Sequence, residues 1–303
     1  MADLEKLLLK TSRTFALTIP LLREPMRRQV TIAYLLFRIV DTFEDASHWP
    51  QQLRIDALSA FVDLLAAGQS PDQETARREV IRWLAQSPST HAGYVELIAQ
   101  VPEVLATFSS LAPPARAAIR SHTIRTAHGM MSFVSRTTED GRLQLDDLAD
   151  LRHYCYIVAG IVGEMLTELF LLERDELTSS APALRERAAL FGEALQLVNI
   201  LKDSAGDARE GRYYLPPSVD RAEVFRLARA DLDASIEYVS ALQNASAERG
   251  LVAFTALPVL LAKATLDRVE EVGPGAKLTR PEVAAIVSEM NLALDESRPA
   301  VPL

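Results

Sequence analysis

The chain has 303 residues, of which 49% are hydrophobic and 24% are charged, so it has enough apolar material for one large core. Its formal net charge of −9 excludes a protein that binds nucleic acid through a broad basic face, although an anionic small molecule fits if metal ions and local arginines neutralise it. The single cysteine, Cys155, excludes an intrachain disulfide and a multi-cysteine zinc site, and is typical of a reducing compartment.

The most apolar stretches of the sequence do not predict a membrane span. IVAGIVGEMLTELFLL carries Glu164 and Glu168, and VAFTALPVLLA is too short to cross a bilayer. The first residues, MADLEKLLLKTSRTF, lack the long apolar core of a signal peptide. We therefore expect a cytoplasmic protein, with peripheral contact to a membrane surface as an open alternative.

Helical spacing of apolar residues dominates the chain, and proline-containing breaks at SPST, LAPPAR and LPPSVD interrupt it. We find no convincing series of alternating strands. The pattern predicts an all-α fold, a single helical bundle over residues 1–303 with loose ends at 1–10 and 296–303. The predicted helices cover residues 22–46, 52–67, 73–86, 91–108, 114–136, 145–173, 183–204, 219–245, 247–272 and 280–295.

A first cluster of acids ends a mostly apolar predicted helix, in the sequence RIVDTFEDA at 38–46. Asp41, Glu44 and Asp45 are three and four residues apart, so they share one face of a helix. Without a counter-ion, three such carboxylates repel each other and are costly to desolvate. Oxygen ligands at this spacing suit Mg²⁺ or Mn²⁺. Taken alone, the cluster favours a plainer alternative, a solvated helix end.

A second cluster lies in QLVNILKDSAGDAREGRYYLP at 196–216. Asp203 and Asp207 are four residues apart and share a face if the helix persists, with Asn199 one turn earlier. The alternative is an ordinary helix C-terminus, where basic residues suit the helix dipole. Because acids and cations recur together, the two clusters predict a clamp for metal and diphosphate. The cations of the second cluster are Lys202, Arg209 and Arg212.

Together these motifs resemble the squalene and phytoene synthases, which join two prenyl diphosphates head to head. DTFED and YCYIVAGIVGE are more similar to squalene synthases than to plant-type phytoene synthases. The resemblance implies a helical bundle of the isoprenoid synthase type with a central apolar cavity. It rests on TSRTF (11–15), AYLLFRIVDTFEDA (33–46), the stretch 125–133, YCYIVAGIVGEMLTELF (154–170), the second acid cluster and ALPVLLAKATL (256–266).

The resemblance also implies roles for individual residues. Tyr154 matches the tyrosine that assists ionisation and proton handling, and it acts with Arg38 and the aspartates as the catalytic set. The implied metal ligands are Asp41, Glu44, Asp45, Asp203 and Asp207. The implied diphosphate-binding residues are Ser12, Arg13, Tyr34, Arg38, Asn199, Lys202 and Arg212. The implied prenyl-tail residues are Phe15, Val158, Gly163 and Gln196.

Several of these residues have a structural alternative. Arg38 can simply pair with Asp41, three residues later, and Tyr154 can be a core aromatic whose hydroxyl has a partner. Arg13 can be a surface cation. Gly160 and Gly163 each cost about 1 kcal/mol inside a helix relative to alanine. Either the close approach of a prenyl tail or tight helix packing explains them.

The reaction implied by the resemblance makes squalene from two farnesyl diphosphates through presqualene diphosphate, with Mg²⁺ and then NADPH. The reductant rests on the resemblance alone, because GIVG lies inside a predicted helix rather than after a strand, as a dinucleotide fingerprint requires. Without a reductant, the alternative products are dehydrosqualene, presqualene diphosphate or hydroxysqualene, or phytoene if the prenyl substrates are longer. More distant alternatives are a class I terpene cyclase and a non-catalytic helical assembly factor.

Two positions depart from the family pattern. Gly206 stands where an acid usually precedes the final aspartate, which predicts a looser second metal site. Lys202 stands where an arginine is usual, so the charge is kept but the planar guanidinium, which can bind phosphate in a bidentate manner, is lost. We expect weaker phosphate binding there rather than a loss of activity.

Overall fold

The computed structural model describes residues 4–12, 14–67, 72–138 and 141–302. Helices hold 78% of these residues and strands 1%, which confirms the all-α fold. The chain divides into two compact units. Unit 1 comprises Met1–Pro20 and Glu24–Arg142, and unit 2 comprises Leu21–Arg23 and Leu143–Leu303. The single bundle over 1–303 and its central cavity stay predictions.

In unit 1, one long helix forms the centre. The α-helices are α1 (Leu4–Thr11), α2 (Phe15–Thr18), α3 (Met26–Glu44), α4 (Gln51–Ala66), α5 (Gln73–Ala85), α6 (Ala92–Ala99), α7 (Val101–Ser109) and α8 (Pro113–Val134). α3 packs against α1, α4, α6, α7 and α8. Its apolar residues, including Ile32, Leu35 and Ile39, are therefore fully buried.

Unit 2 is organised around α11. Its elements are β1 (Leu143–Gln144), α9 (Leu148–Cys155), α10 (Ile161–Glu173), α11 (Ala181–Arg209), β2 (Arg212–Tyr213), α12 (Arg221–Asn244), α13 (Arg249–Val272) and α14 (Arg280–Asp295). A π-helical turn, Tyr156–Gly160, joins α9 to α10. α11 packs against α9, α10, α12 and α13, and β1 pairs with β2 in parallel.

The described residues near both ends of the chain make defined contacts. Residues 4–11 form α1, because Leu7 and Leu8 are buried as α1 packs along α3. At the other end, Ala300 donates its backbone N–H to Gln243 Oε1 at 2.9 Å, and Ala300 and Val301 are buried. Part of each predicted loose end, Leu7 and Leu8 at one end and Ala300 and Val301 at the other, is therefore packed against the fold.

Two helix boundaries also differ from prediction. The predicted helix at 91–108 is broken at Gln100, and Pro102 lies in the first turn of α7, where its missing N–H costs little. The predicted helix at 183–204 continues to Arg209. The second change matters for the site, since it keeps Asp203 and Asp207 on one helix.

Two helical segments, Leu148–Glu173 and Arg249–Val272, are long and apolar enough to cross a membrane by length and composition. The second corrects the expectation that its apolar stretch is too short, because α13 continues for 24 residues. More than half of each apolar segment is buried, as in the core helices of other proteins. These helices are therefore weak evidence for membrane association, and the cytoplasmic location stays a prediction.

Candidate active site

The first pair of predicted metal ligands lies at the end of α3 in unit 1. Asp41 is on its last turn, and Asp45 is the C-cap residue, which donates its backbone N–H to the Asp41 carbonyl at 2.8 Å. Burial raises the pKa of Asp41 to about 6; the Arg38 charge opposes this rise, and the Asp45 charge adds to it. Asp41 is still 29% exposed, so its carboxylate can be reached from solvent.

Glu44 does not join this pair in the structure. Its side chain is buried, and its Oε1 lies 4.0 Å from Arg54 Nη2. The same nitrogen donates to the backbone carbonyl of Glu44. The face that the sequence predicts for three acids is therefore shared by two, because Glu44 pairs with α4. Glu44 therefore has a cationic partner on α4, and its role as a metal ligand stays a prediction.

Arg38 connects Asp41 to a group of aromatic rings. Its Nη1 lies 3.3 Å from Asp41 Oδ2, and its Nε donates to the Tyr34 hydroxyl at 3.4 Å. The guanidinium also stands 5.7 Å from the Tyr34 ring and 5.3 Å from the Tyr94 ring. Burial lowers the pKa of Arg38, but Asp41, Tyr34 and Tyr94 together more than offset this, so Arg38 stays charged.

The predicted diphosphate and tail residues of unit 1 continue from Tyr34. Its hydroxyl donates to the Thr11 carbonyl at 2.6 Å, and its ring lies 5.5 Å from that of Phe15. Ser12 Oγ accepts a hydrogen bond from the Phe15 backbone N–H at 3.0 Å. Ser12, Phe15, Tyr34, Arg38 and Asp41 thus form one continuous group. Arg13 lies outside the described residues.

The second acid pair lies near the end of α11 in unit 2. Because α11 is unbroken from Ala181 to Arg209, Asp203 and Asp207 share a face, as the spacing predicts. Lys202 Nζ lies 3.1 Å from Asp203 Oδ2 and donates to Asn199 Oδ1 at 3.1 Å. Arg212 Nη2 lies 3.3 Å from Asp207 Oδ1. Each aspartate therefore lies beside a cation, and Arg212 is shared with Glu210, whose Oε2 lies 2.8 Å from the same nitrogen.

The segment after α11 brings an aromatic residue to Tyr154. Gly211 adopts φ 78°, a left-handed conformation that suits glycine and turns the chain into β2. Directly after β2, the Tyr214 ring stacks on the Tyr154 ring, with centroids 4.7 Å apart and planes at 27°. Tyr154 is 4% exposed and Tyr214 is 7% exposed. Tyr154 is thus buried, as expected of a core aromatic or of a reactive group shielded from water.

Among the predicted tail residues of unit 2, Gly163 has a clear packing role. A Cβ on Gly163 would lie 1.9 Å from the Ala188 carbonyl oxygen, and one on Gly192 would lie 2.0 Å from the Ala159 carbonyl oxygen. The two glycines let α11 and the helix before it approach closely. Tight packing, one of the two predicted explanations, therefore accounts for Gly163. Val158 and Gln196 are partly exposed.

The structure adds residues that the sequence reasoning missed. Tyr94 contacts Arg38 from a helix distant in sequence, and no motif pointed to it. Tyr214 stands inside the GRYYLP stretch, so the motif contained it without showing its partner. A third group joins a partly exposed arginine to two buried acids: Arg152 Nη2 lies 3.6 Å from Glu193 Oε2 and 3.9 Å from Asp231 Oδ1.

The donor sets fit magnesium in the company of phosphate. Among the residues described, no group of three or more histidines, cysteines and acids is placed to hold a metal ion. Each aspartate pair offers two carboxylates, and Mg²⁺ binds through one or two carboxylates together with waters and substrate phosphate. Burial, and to a smaller extent the charge of Asp45, disfavour the charged form of the Asp41 carboxylate, and a divalent cation bound there would offset both effects.

Comparisons with known proteins identify the family of the chain. The squalene/phytoene synthase family model matches residues 8–224. The squalene synthase of Eremothecium gossypii is 28% identical over 286 residues, which are 87% of this chain and 61% of that protein. Botryococcus squalene synthase, from Botryococcus braunii, is 28% identical over 207 residues, 67% of this chain and 39% of that protein.

A solved structure, the complex of TcSQS with the ligand BPH1237, superposes with a TM-score of 0.73. It is 26% identical, and the match covers 96% of this chain and 87% of that one. This similarity confirms the isoprenoid synthase type of all-α fold. The chain spans between about two fifths and three fifths of the length of the two relatives named above. Since the family model covers most of its length, the chain belongs to the squalene/phytoene synthase family.

Proposed function

We propose that the protein is a Mg²⁺-dependent prenyltransferase that joins two farnesyl diphosphates head to head. One observation carries the proposal: the same arrangement of acid and arginine occurs in each unit. Arg38 lies 3.3 Å from Asp41, and Arg212 lies 3.3 Å from Asp207. In each case a second aspartate is four residues away. Membership of the squalene/phytoene synthase family supports the same proposal.

In this proposal, Asp41, Asp45, Asp203 and Asp207 hold Mg²⁺. When bound, the metal neutralises the charge that collects on diphosphate as its bond to carbon breaks. Arg38, Lys202 and Arg212 already lie beside these aspartates, so they can bind the remaining phosphate oxygens. Glu44 is left out of the ligand set, because it pairs with Arg54.

Tyr154 is the proposed group that assists ionisation and handles the proton. Its burial keeps water away from its hydroxyl, which suits a reaction through carbocations that water would quench. Tyr34, Ser12 and Asn199 complete the proposed diphosphate contacts, and Arg13 is proposed from the resemblance alone. Phe15, Val158 and Gln196 are proposed to line the prenyl tails, with Gly163 shaping the packing behind them.

The favoured product is squalene, formed from presqualene diphosphate with NADPH as the reductant. Both relatives named above are squalene synthases, which supports this choice. The alternative is an enzyme that works without a reductant and releases dehydrosqualene, presqualene diphosphate or hydroxysqualene from farnesyl diphosphate, or phytoene from a twenty-carbon prenyl diphosphate. The oxygen ligands and the expected cations are the same in both cases, so only the product distinguishes them.

The test is an incubation of the purified protein with farnesyl diphosphate and Mg²⁺, with and without NADPH, followed by mass analysis of the products. Squalene that appears only with NADPH supports the full proposal. A thirty-carbon product other than squalene in both arms supports the head-to-head reaction without reduction. Fifteen-carbon cyclic products alone would identify a terpene cyclase instead, and no turnover in any arm would exclude the proposed activity.

A further inference from the structure

The strongest unassigned feature of unit 2 is the stack of Tyr214 on Tyr154. The ring centroids are 4.7 Å apart with planes at 27°, and both side chains are more than nine-tenths buried. Offset stacks of this kind stabilise a pair of rings by roughly 0.5–1.5 kcal/mol beyond the area they bury. The stack therefore fixes the plane of the Tyr154 ring, and with it the direction of its hydroxyl.

A short strap holds Tyr214 in this position. The strap comprises residues 211–214. Leu143 donates its backbone N–H to the Gly211 carbonyl at 3.0 Å, and Leu145 donates to the Tyr213 carbonyl at 3.1 Å. These two backbone hydrogen bonds hold the strap against residues 143–145, so the direction in which the chain runs from β2 to Tyr214 is defined. The position of the ring is set by the backbone as well as by packing.

The same strap carries Arg212, whose Nη2 lies 3.3 Å from Asp207 Oδ1. One residue, Tyr213, separates Arg212 from Tyr214, so one short segment carries the side chains that contact a proposed metal ligand and the proposed ionising tyrosine. A rigid connection between the two would keep the tyrosine hydroxyl in register with the diphosphate site. Misplacement of a reacting group by about 1 Å can cost about a hundredfold in rate.

We propose that Tyr214 is a positioning residue for the reaction, acting through its stack on Tyr154. This inference rests on the proposed function, because it assumes that Tyr154 takes part in ionisation. Tyr214 needs its ring for this role and does not need its hydroxyl. A plain core aromatic would instead contribute to stability and leave the rate of the bound enzyme unchanged.

The experiment measures diphosphate release in a single turnover, with farnesyl diphosphate and Mg²⁺ saturating. Tyr214→Phe keeps the ring and is expected to stay within about twofold of the wild type. Tyr214→Leu removes the ring and is expected to lower the rate by about tenfold or more, with little change in substrate Kd. Tyr214→Met, which fills space without a ring, gives the same comparison if the leucine variant folds poorly.

A matched control is Phe191→Leu, which removes a similar stack in the same unit. The rings of Phe191 and Tyr238 are 5.1 Å apart with planes at 28°. We expect this variant to lower the thermal midpoint while leaving the rate within about twofold. The control thus separates the loss of a buried aromatic pair from the loss of the pair that holds Tyr154.

A double-mutant cycle decides whether Tyr214 acts through Tyr154. Added to Tyr154→Leu, Tyr214→Leu is expected to have no further effect on the rate. If the rate losses of Tyr154→Leu and Tyr214→Leu multiply in the double variant, the inference is overturned. It is also overturned if Tyr214→Leu releases diphosphate as fast as Tyr214→Phe. If the wild-type protein releases no diphosphate, the proposed function itself fails, and that result is known before any variant is measured.

Discussion

The backbone of Gly163 lies so close to Ala188 that a Cβ on the glycine would stand 1.9 Å from the Ala188 carbonyl oxygen. That oxygen belongs to the backbone of α11, so it cannot rotate away as a flexible side chain could. Gly163→Ala therefore forces α10 and α11 apart. We expect a loss of about 1–3 kcal/mol or more in the free energy of unfolding, measured by chemical denaturation.

Gly206 is the matched control for that substitution. It also lies in a helix, but a Cβ on it would meet nothing within 4 Å. Gly206→Ala is therefore expected to stabilise the protein by up to about 1 kcal/mol through helix propensity. Equal stability of the Gly163→Ala variant and the wild type would show that the close approach of the two helices is not rigid.

Arg38 gives a prediction about substrate binding. Arg38→Gln removes the cation beside Asp41 and the proposed phosphate contact, so kcat/KM is expected to fall by about a hundredfold. Arg38→Lys keeps the charge but loses the planar guanidinium that lies over the tyrosine rings. Its kcat/KM is therefore expected to lie between those of the wild type and Arg38→Gln. Arg28→Gln, on the exposed side of the same helix, is the control, and its kcat/KM should be close to that of the wild type. Steady-state kinetics with equal losses in all three variants would contradict a specific role for Arg38.

The stability of the metal-free protein should depend on pH through Glu193. Burial raises its pKa to about 7; the charge of Arg152 opposes this rise, and the charges of Asp231 and Glu164 add to it. Burial likewise raises the pKa of Asp231 to about 6, with Arg152 opposing. Carboxyls with a higher pKa in the folded chain bind protons more tightly there than in the unfolded chain. Their stabilising effect is complete near pH 4 and is lost as the pH rises through 6 to 7.

We therefore expect the free energy of unfolding to fall between pH 5 and pH 8. Since one pKa unit corresponds to about 1.4 kcal/mol, the contribution of Glu193 to this fall is on the order of 2 kcal/mol. Glu193→Gln should flatten this dependence and stabilise the protein at pH 8. Glu186→Gln, at an exposed position on the same helix, should leave the slope unchanged. A wild-type protein that becomes more stable as the pH rises over this range would refute the burial argument.

Cys155 should be unreactive in the folded protein. It is fully buried, and burial raises the pKa of its thiol well above the ordinary value; the charges of Glu193 and Asp231 raise it further, against Arg152. At pH 8, iodoacetamide is expected to leave the native chain unlabelled and to add one label after denaturation, as read by intact mass. Rapid labelling of the native protein would show that the region around α9 opens readily.

The sequence predicted the helical class and the two aspartate pairs because both depend on local spacing. Apolar periodicity indicates helices directly, and the interval of four residues places Asp203 and Asp207 on one face wherever the helix is continuous. The extension of α11 to Arg209 met that condition. The family resemblance added roles that no spacing could give.

The missed features depend on partners that are distant in the sequence. Glu44 turns towards Arg54 on another helix, and Tyr214 meets Tyr154 only because β2 pairs with β1. The two explanations of Gly163 were equal until the position of Ala188 was known. Tertiary contacts, either helix packing or strand pairing, decided each of these cases, and such contacts cannot be deduced from a single sequence.

The central claim is that the aspartate pairs hold the magnesium that drives diphosphate departure. The most direct measurement is the rate of diphosphate release as Mg²⁺ is titrated, in the wild type, Asp41→Asn and Asp203→Asn. We expect each substitution to lower the rate by at least about a hundredfold, or to require far more Mg²⁺. Asp56→Asn and Asp233→Asn remove one acid each from α4 and α12 and should match the wild type. Unchanged rates and Mg²⁺ dependence in Asp41→Asn and Asp203→Asn would contradict the account.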